Sequence, residues 1–103
     1  MKVYNKLVRD KIPSIIAKHG KEFSTHKASE EEYLEKLKEK LLEEVEEFLE
    51  EPCLEELADI FEVFSTLIGT LGHTVGELRE CAMKKVAERG AFSSRIILES
   101  VED

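Results

Sequence analysis

The chain has 103 residues at 11.8 kDa, the length of one domain, and its 42% hydrophobic content supports a core and excludes wholesale disorder. With 37% charged residues, five glycines, two prolines and no tryptophan, the composition leans towards long helices. A net charge of −8 and a pI near 5.0 argue against a basic nucleic-acid-binding face and against a membrane-surface binder, so an anionic ligand would need a metal cation between it and this chain.

The opening stretch, Met1 to Pro13, alternates charged and apolar residues without an apolar h-region, so no signal peptide is expected. Residues 1–9 read as short and extended. Pro13 stands early in a brief helical stretch, Ser14 to His19, with Gly20 as its stop. Ser29 followed by Glu32 forms a capping-box pattern that opens a long amphipathic helix. Its apolar positions, Leu34, Leu37, Leu41, Val45 and Phe48, step by three and four. That helix should end near Glu50–Glu51, because Pro52 disfavours helical geometry at the residue before it and suits N1 of the next helix. The second long helix repeats the spacing with Leu54, Leu57, Phe61, Phe64, Ile68 and Leu71, and stops around Gly69–Gly72. Thr74 and Glu77 repeat the capping box and open a last helix that runs to about Arg89 and is closed by Gly90. The apolar tail from Arg95 to Val101 reads as extended. The expected fold is a single all-α domain over residues 1–103, an antiparallel helix bundle built on a long αα-hairpin. No apolar run approaches the length of a membrane span. Cys53 and Cys81 lack metal-ligand spacing and read as reduced thiols of a cytoplasmic protein.

Most of the 23 acidic residues need only solvation; the informative ones point inward. At about 100° per residue, Glu44 falls inside the apolar arc of the first long helix, between Leu41 and Phe48, with Glu47 just beyond its edge. Glu43, Glu46 and Glu50 fall on the wet side. On the second long helix Glu56 lies between Val63 and Leu67, Asp59 lies just past the edge, and Glu55 and Glu62 lie outside. If the hairpin folds back at Pro52, Glu44 comes level with Asp59 and Glu47 with Glu56. Four carboxylates then converge between two helices, and like charges at that range do not all ionise without cost. A hard divalent cation with oxygen ligands, Mg²⁺ being the common choice and Mn²⁺ a substitute, removes the conflict. The neighbours Phe48 and Ile60, four residues beyond Glu44 and Glu56, offer no cation as an alternative partner. A di-iron bundle site needs Glu-x-x-His on two helices. None of His19, His26 and His73 has a Glu three residues before it.

The run Glu43-Glu44-Val45-Glu46-Glu47, followed by Glu56-Leu57-Ala58-Asp59, resembles the E-E-x-x-E … E-x-x-D signature of the all-α NTP pyrophosphatases, the MazG-like superfamily that includes phosphoribosyl-ATP pyrophosphohydrolases. The opening Tyr4-Asn5-Lys6-Leu7-Val8-Arg9-Asp10-Lys11-Ile12-Pro13 is similar to that of a small house-cleaning subgroup. The closing Glu88-Arg89-Gly90, with Phe92 and Leu98-Glu99, is similar to the subgroup's end, except that Ala91 stands where the subgroup has a second glycine. The resemblance implies a MazG-like fold and Mg²⁺-dependent cleavage of a nucleoside triphosphate between its α and β phosphates, giving a monophosphate and pyrophosphate. It implies metal binding by Glu44, Glu47, Glu56 and Asp59, with Glu43 secondary, and assembly as a homodimer or homotetramer.

For such chemistry Glu44 and Glu47 are the catalytic candidates, either of them as acceptor of a water proton. Lys6, Arg9, Lys85 and Arg89, with Lys11 and Lys84 beside them, are the candidates for holding phosphate oxygens. The competing reading is a non-catalytic acidic helical module that dimerises or docks on a partner through Phe61, Phe64 and Leu71.

Overall fold

In the computed structural model, which describes residues 2–103, the chain is all-helical in the order α1 (Ile12–Lys18), α2 (Glu30–Glu50), α3 (Leu54–Thr70) and α4 (Val75–Arg89). Residues 2–11 carry neither helix nor strand, as does the tail beyond residue 94. Met1, the first residue of the segment expected to be extended, lies outside the described residues. α1 begins two residues earlier than the spacing suggests, with Pro13 in its first turn.

Local chemistry sets the helix ends. Ser29 Oγ accepts the Glu32 N–H at 3.2 Å and starts α2. The reciprocal half of that capping box is not made, because Glu32 turns to His26 Nε2 at 2.9 Å. At Thr74 the box is complete: Glu77 N–H donates to Thr74 Oγ1 at 3.1 Å and Thr74 N–H donates to Glu77 Oε1 at 3.0 Å. α1 and α3 both end in a Schellman turn. Gly20 (φ 71°) and Gly72 (φ 83°) hold the left-handed conformation there, while Lys21 N–H donates to Ile16 and His73 N–H to Ile68. Pro52 corrects one expectation. It does not occupy N1 of α3; Cys53 is the N-cap and Pro52 precedes it. The proline still forces Glu51 out of helical geometry (φ −139°, ψ 84°), which ends α2 where expected.

α2 and α3 pack along their length as a hairpin joined by residues 51–53, and no other helix pair among the described residues does so. On α2 the packing follows the apolar stripe: Leu37 is 2% exposed, and Leu34, Leu41, Val45 and Phe48 are half-buried. On α3 it does not. The covered face is Ile60, Val63 and Leu67, whereas Leu54, Leu57, Phe61, Phe64 and Leu71 are exposed, Phe61 at 66%. The apolar arc of α3 is wider than one partner helix covers, and α2 takes its Val63–Leu67 edge.

Within one chain the helices therefore do not close into a bundle. α4 contains no buried residue. The chain measures 61 × 31 × 28 Å with a radius of gyration of 18.6 Å, against about 13 Å for a compact chain of this length. No helix of the described residues is long and apolar enough to cross a membrane.

Because α4 lacks packing, its first turn depends on the Thr74–Glu77 box. The Thr74 backbone N–H, then its hydroxyl, holds the Glu77 carboxyl below its ordinary value of 4.5. A depressed folded pKa means that this contribution is fully present above the ordinary value and is lost as pH falls through the folded one. Protection of the amides at the start of α4, taken relative to their intrinsic exchange rates, should fall below about pH 4. Thr74→Ala should reproduce that loss at neutral pH, weakening local protection by about 1 kcal/mol.

Candidate metal centre

The hairpin brings one carboxylate oxygen from each of Glu44, Glu47, Glu56 and Asp59 within 4.8 Å of one another. The three-residue connection sets the register and the partial mismatch of apolar faces sets the depth. Glu56 stands between Val63 and Leu67 on α3, the edge that α2 covers, so it is carried into the interface. Glu44 is buried, at 7% exposure, Glu56 and Asp59 are half-buried, and Glu47 faces solvent.

Glu44 Oε2 and Glu56 Oε2 are sealed from solvent and have no hydrogen-bond partner. Buried polar oxygens are satisfied in the great majority of cases, and a cation held by the four carboxylates could satisfy these two. The electrostatics agree. Burial, and then the neighbouring Glu47, pushes the Glu44 carboxyl above its usual range. Burial, with the charges of Asp59, Glu44, Glu51 and Glu55, does the same to Glu56. An all-oxygen donor set suits a hard divalent ion. Glu44, Glu47, Glu56 and Asp59 are the residues that could hold it.

Three cations border the cluster. Arg9 Nη2 donates to Asp59 Oδ1 at 2.8 Å, and Lys6 Nζ donates to Glu43 Oε1 at 2.8 Å. The third, Lys40, lies 3.4 Å from Glu44 Oε1 and 3.6 Å from Glu43 Oε1. Lys40 corrects the expectation that Glu44 has no cation one helical turn away: the partner lies four residues before it, not after. That i,i+4 spacing could have been found in the sequence. Glu43 is corrected too. Its wheel position is outward, yet the N-terminal segment folds over it, leaving it half-buried with its carboxyl held below the usual range by Lys6.

A cavity of about 380 Å³ lies between this segment and the hairpin, with Leu7, Arg9, Lys40, Glu44, Asp59 and Val63 in its wall. Lys11 lines it as well. Lys84, Lys85 and Arg89 lie on exposed α4, and no ion pair or hydrogen bond joins them to the cluster. Cys53 and Cys81 are free thiols.

No family model, no curated protein and no solved structure matches the chain. What the site can do follows from its own geometry.

Glu56 carries a like-charge penalty in the metal-free chain. Glu56→Gln should therefore raise the metal-free melting temperature while sharply reducing the gain on adding Mg²⁺ or Mn²⁺. Metal at 100 times its dissociation constant contributes about 2.7 kcal/mol to the wild type. Equal metal-induced shifts in the two proteins, read by calorimetry, would remove Glu56 from the ligand set.

Proposed function

We propose that the chain is a Mg²⁺-dependent nucleoside triphosphate pyrophosphohydrolase of the MazG-like type, cleaving between the α and β phosphates of aberrant nucleotides in the cytoplasm as a house-cleaning enzyme. The observation that carries this reading is the pair of buried, unpartnered oxygens on Glu44 and Glu56 within a four-carboxylate cluster, bordered by cations able to meet phosphate. The sequence resemblance at both ends of the chain supports the same activity.

In this reading Glu44, Glu47, Glu56 and Asp59 hold the metal. Bound Mg²⁺ supplies charge neutralisation at the phosphates and lowers the pKa of a water. Water attacks the α-phosphorus and the bridging oxygen departs with pyrophosphate. The proton of the attacking water goes to a carboxylate, and solvent exposure favours Glu47 over the sealed Glu44 as its acceptor. Glu44, held by Lys40, then serves as a fixed ligand. Lys6 and Arg9 bear on the phosphate oxygens from the N-terminal segment.

A homodimer or homotetramer belongs to the same proposal. The open shape of the single chain and the exposed Leu57, Phe61 and Phe64 of α3, with Met83 and Val86 of α4, support it. A neighbouring copy seated on these faces is also the means of bringing Lys85 and Arg89 of α4 to a hairpin. The exposed apolar strip on α3 equally favours the second reading, an acidic dimerisation or docking module without catalysis.

Pyrophosphate release from a panel of nucleoside triphosphates, with and without Mg²⁺, separates the two readings. Glu44→Gln or Asp59→Asn should lower turnover by on the order of a hundredfold or more. Glu46→Gln removes the same charge from an exposed position away from the cavity. It should leave turnover nearly intact and stability within about 0.5 kcal/mol. Light scattering at micromolar concentration should give a mass above that of one 11.8 kDa chain; a clean monomer would refute the assembly.

A further inference from the structure

We infer that Arg9 is an internal counter-cation of the carboxylate cluster, displaced from Asp59 by a divalent ion and thereby freed to meet a phosphate group. The exchange with metal stands on the site geometry; only the phosphate step rests on the hydrolase reading.

The Arg9 ion pair and the four-carboxylate cluster have Asp59 in common. Asp59 contributes one of the four clustered oxygens, and its Oδ1 accepts from Arg9 Nη2 at 2.8 Å. The pair is open to water on both sides, with side-chain exposures of 58% for Arg9 and 38% for Asp59. An exposed pair of this kind is weak and readily exchanged, while a divalent ion meets four carboxylates together.

The segment that carries Arg9 is tethered independently of this pair. Lys36 Nζ, from α2, donates to the Asn5 carbonyl at 2.8 Å, where the backbone bends through a left-handed residue (Asn5, φ 46°). Lys6 holds Glu43, which is not one of the four clustered carboxylates, and Leu7 is half-buried. Past Arg9 the chain enters α1 through the Ile12 N–H to Arg9 carbonyl bond at 3.1 Å. Release of the guanidinium therefore frees a side chain and not the segment. Arg9 stays in the wall of the cavity that Glu44 and Asp59 also line.

The test titrates the full-length chain with Mn²⁺ alone at low ionic strength, following free Mn²⁺ by electron paramagnetic resonance. Arg9→Gln removes the competitor and should tighten Mn²⁺ binding by about two- to fivefold relative to wild type. The gap should narrow in high salt. Arg79→Gln removes an equal charge from exposed α4 and should leave affinity unchanged. Pyrophosphate release should move the other way in Arg9→Gln and fall, a split of sign that a merely structural arginine would not produce. In wild type, the Arg9 guanidinium ¹⁵N resonance should shift on adding Mg²⁺. Equal Mn²⁺ affinities in wild type and Arg9→Gln, or weaker binding in the variant, would overturn the exchange while leaving the hydrolase reading in place. Tighter binding in a chain that hydrolyses no nucleotide would support the exchange and sink the hydrolase. Absence of Mn²⁺ binding in all three proteins would overturn both.

Discussion

Four carboxylates share the seam between two helices, and the rest of the molecule is arranged around that charge. An αα-hairpin normally uses its inward positions for apolar packing. Here Glu44 and Glu56 take two of them, and the apolar residues fully buried in the hairpin reduce to Leu37 and Val63. Burial, and then neighbouring carboxylates, push the Glu44 and Glu56 carboxyls above their usual range, and two sealed oxygens are left without partners. A single chain this open has little hydrophobic stabilisation to set against such repulsion. Acids retained at that position are better explained by what they bind than by what they stabilise.

The surrounding cations answer the charge only in part. Lys40 reaches one oxygen of Glu44, Arg9 one oxygen of Asp59, and Lys6 approaches the neighbouring Glu43. Lys40 also approaches Glu43, and none of the three reaches the orphaned oxygens. The cluster could hold a metal ion, and cationic side chains stand at its edge. Two of the three border cations arrive from residues 2–11, a segment without helix or strand, so the same backbone both partly neutralises the acids and walls the adjoining cavity.

The apolar surface has its own logic. α3 is apolar over a wider arc than α2 covers, and the uncovered part, with Leu57, Phe61 and Phe64, forms a continuous shallow strip. α4 and the tail add Met83, Val86, Phe92, Ile96 and Ile97 to the exposed apolar residues. This surface, on a chain whose radius of gyration exceeds the compact value by several ångströms, is the ground on which the proposed assembly rests.

Much of this was legible in the residues. Helix ends are local: Ser29, Thr74 with Glu77, Gly20 and Gly72 act on backbone groups within a few positions, so sequence alone placed them, and Pro52 missed its expected role by two residues. The convergence of Glu44, Glu47, Glu56 and Asp59 was also legible, because a short connection fixes hairpin register and helical period fixes facing. Tertiary structure decided what periodicity leaves degenerate. α3 is apolar on too broad a face for spacing to choose its contact edge, and only packing against α2 showed that Val63 is covered while Phe61 is not. The path of residues 2–11 lies in no periodic element, so the approach of Arg9 to Asp59 and of Lys6 to Glu43, across 50 and 37 positions of chain, appears only in three dimensions.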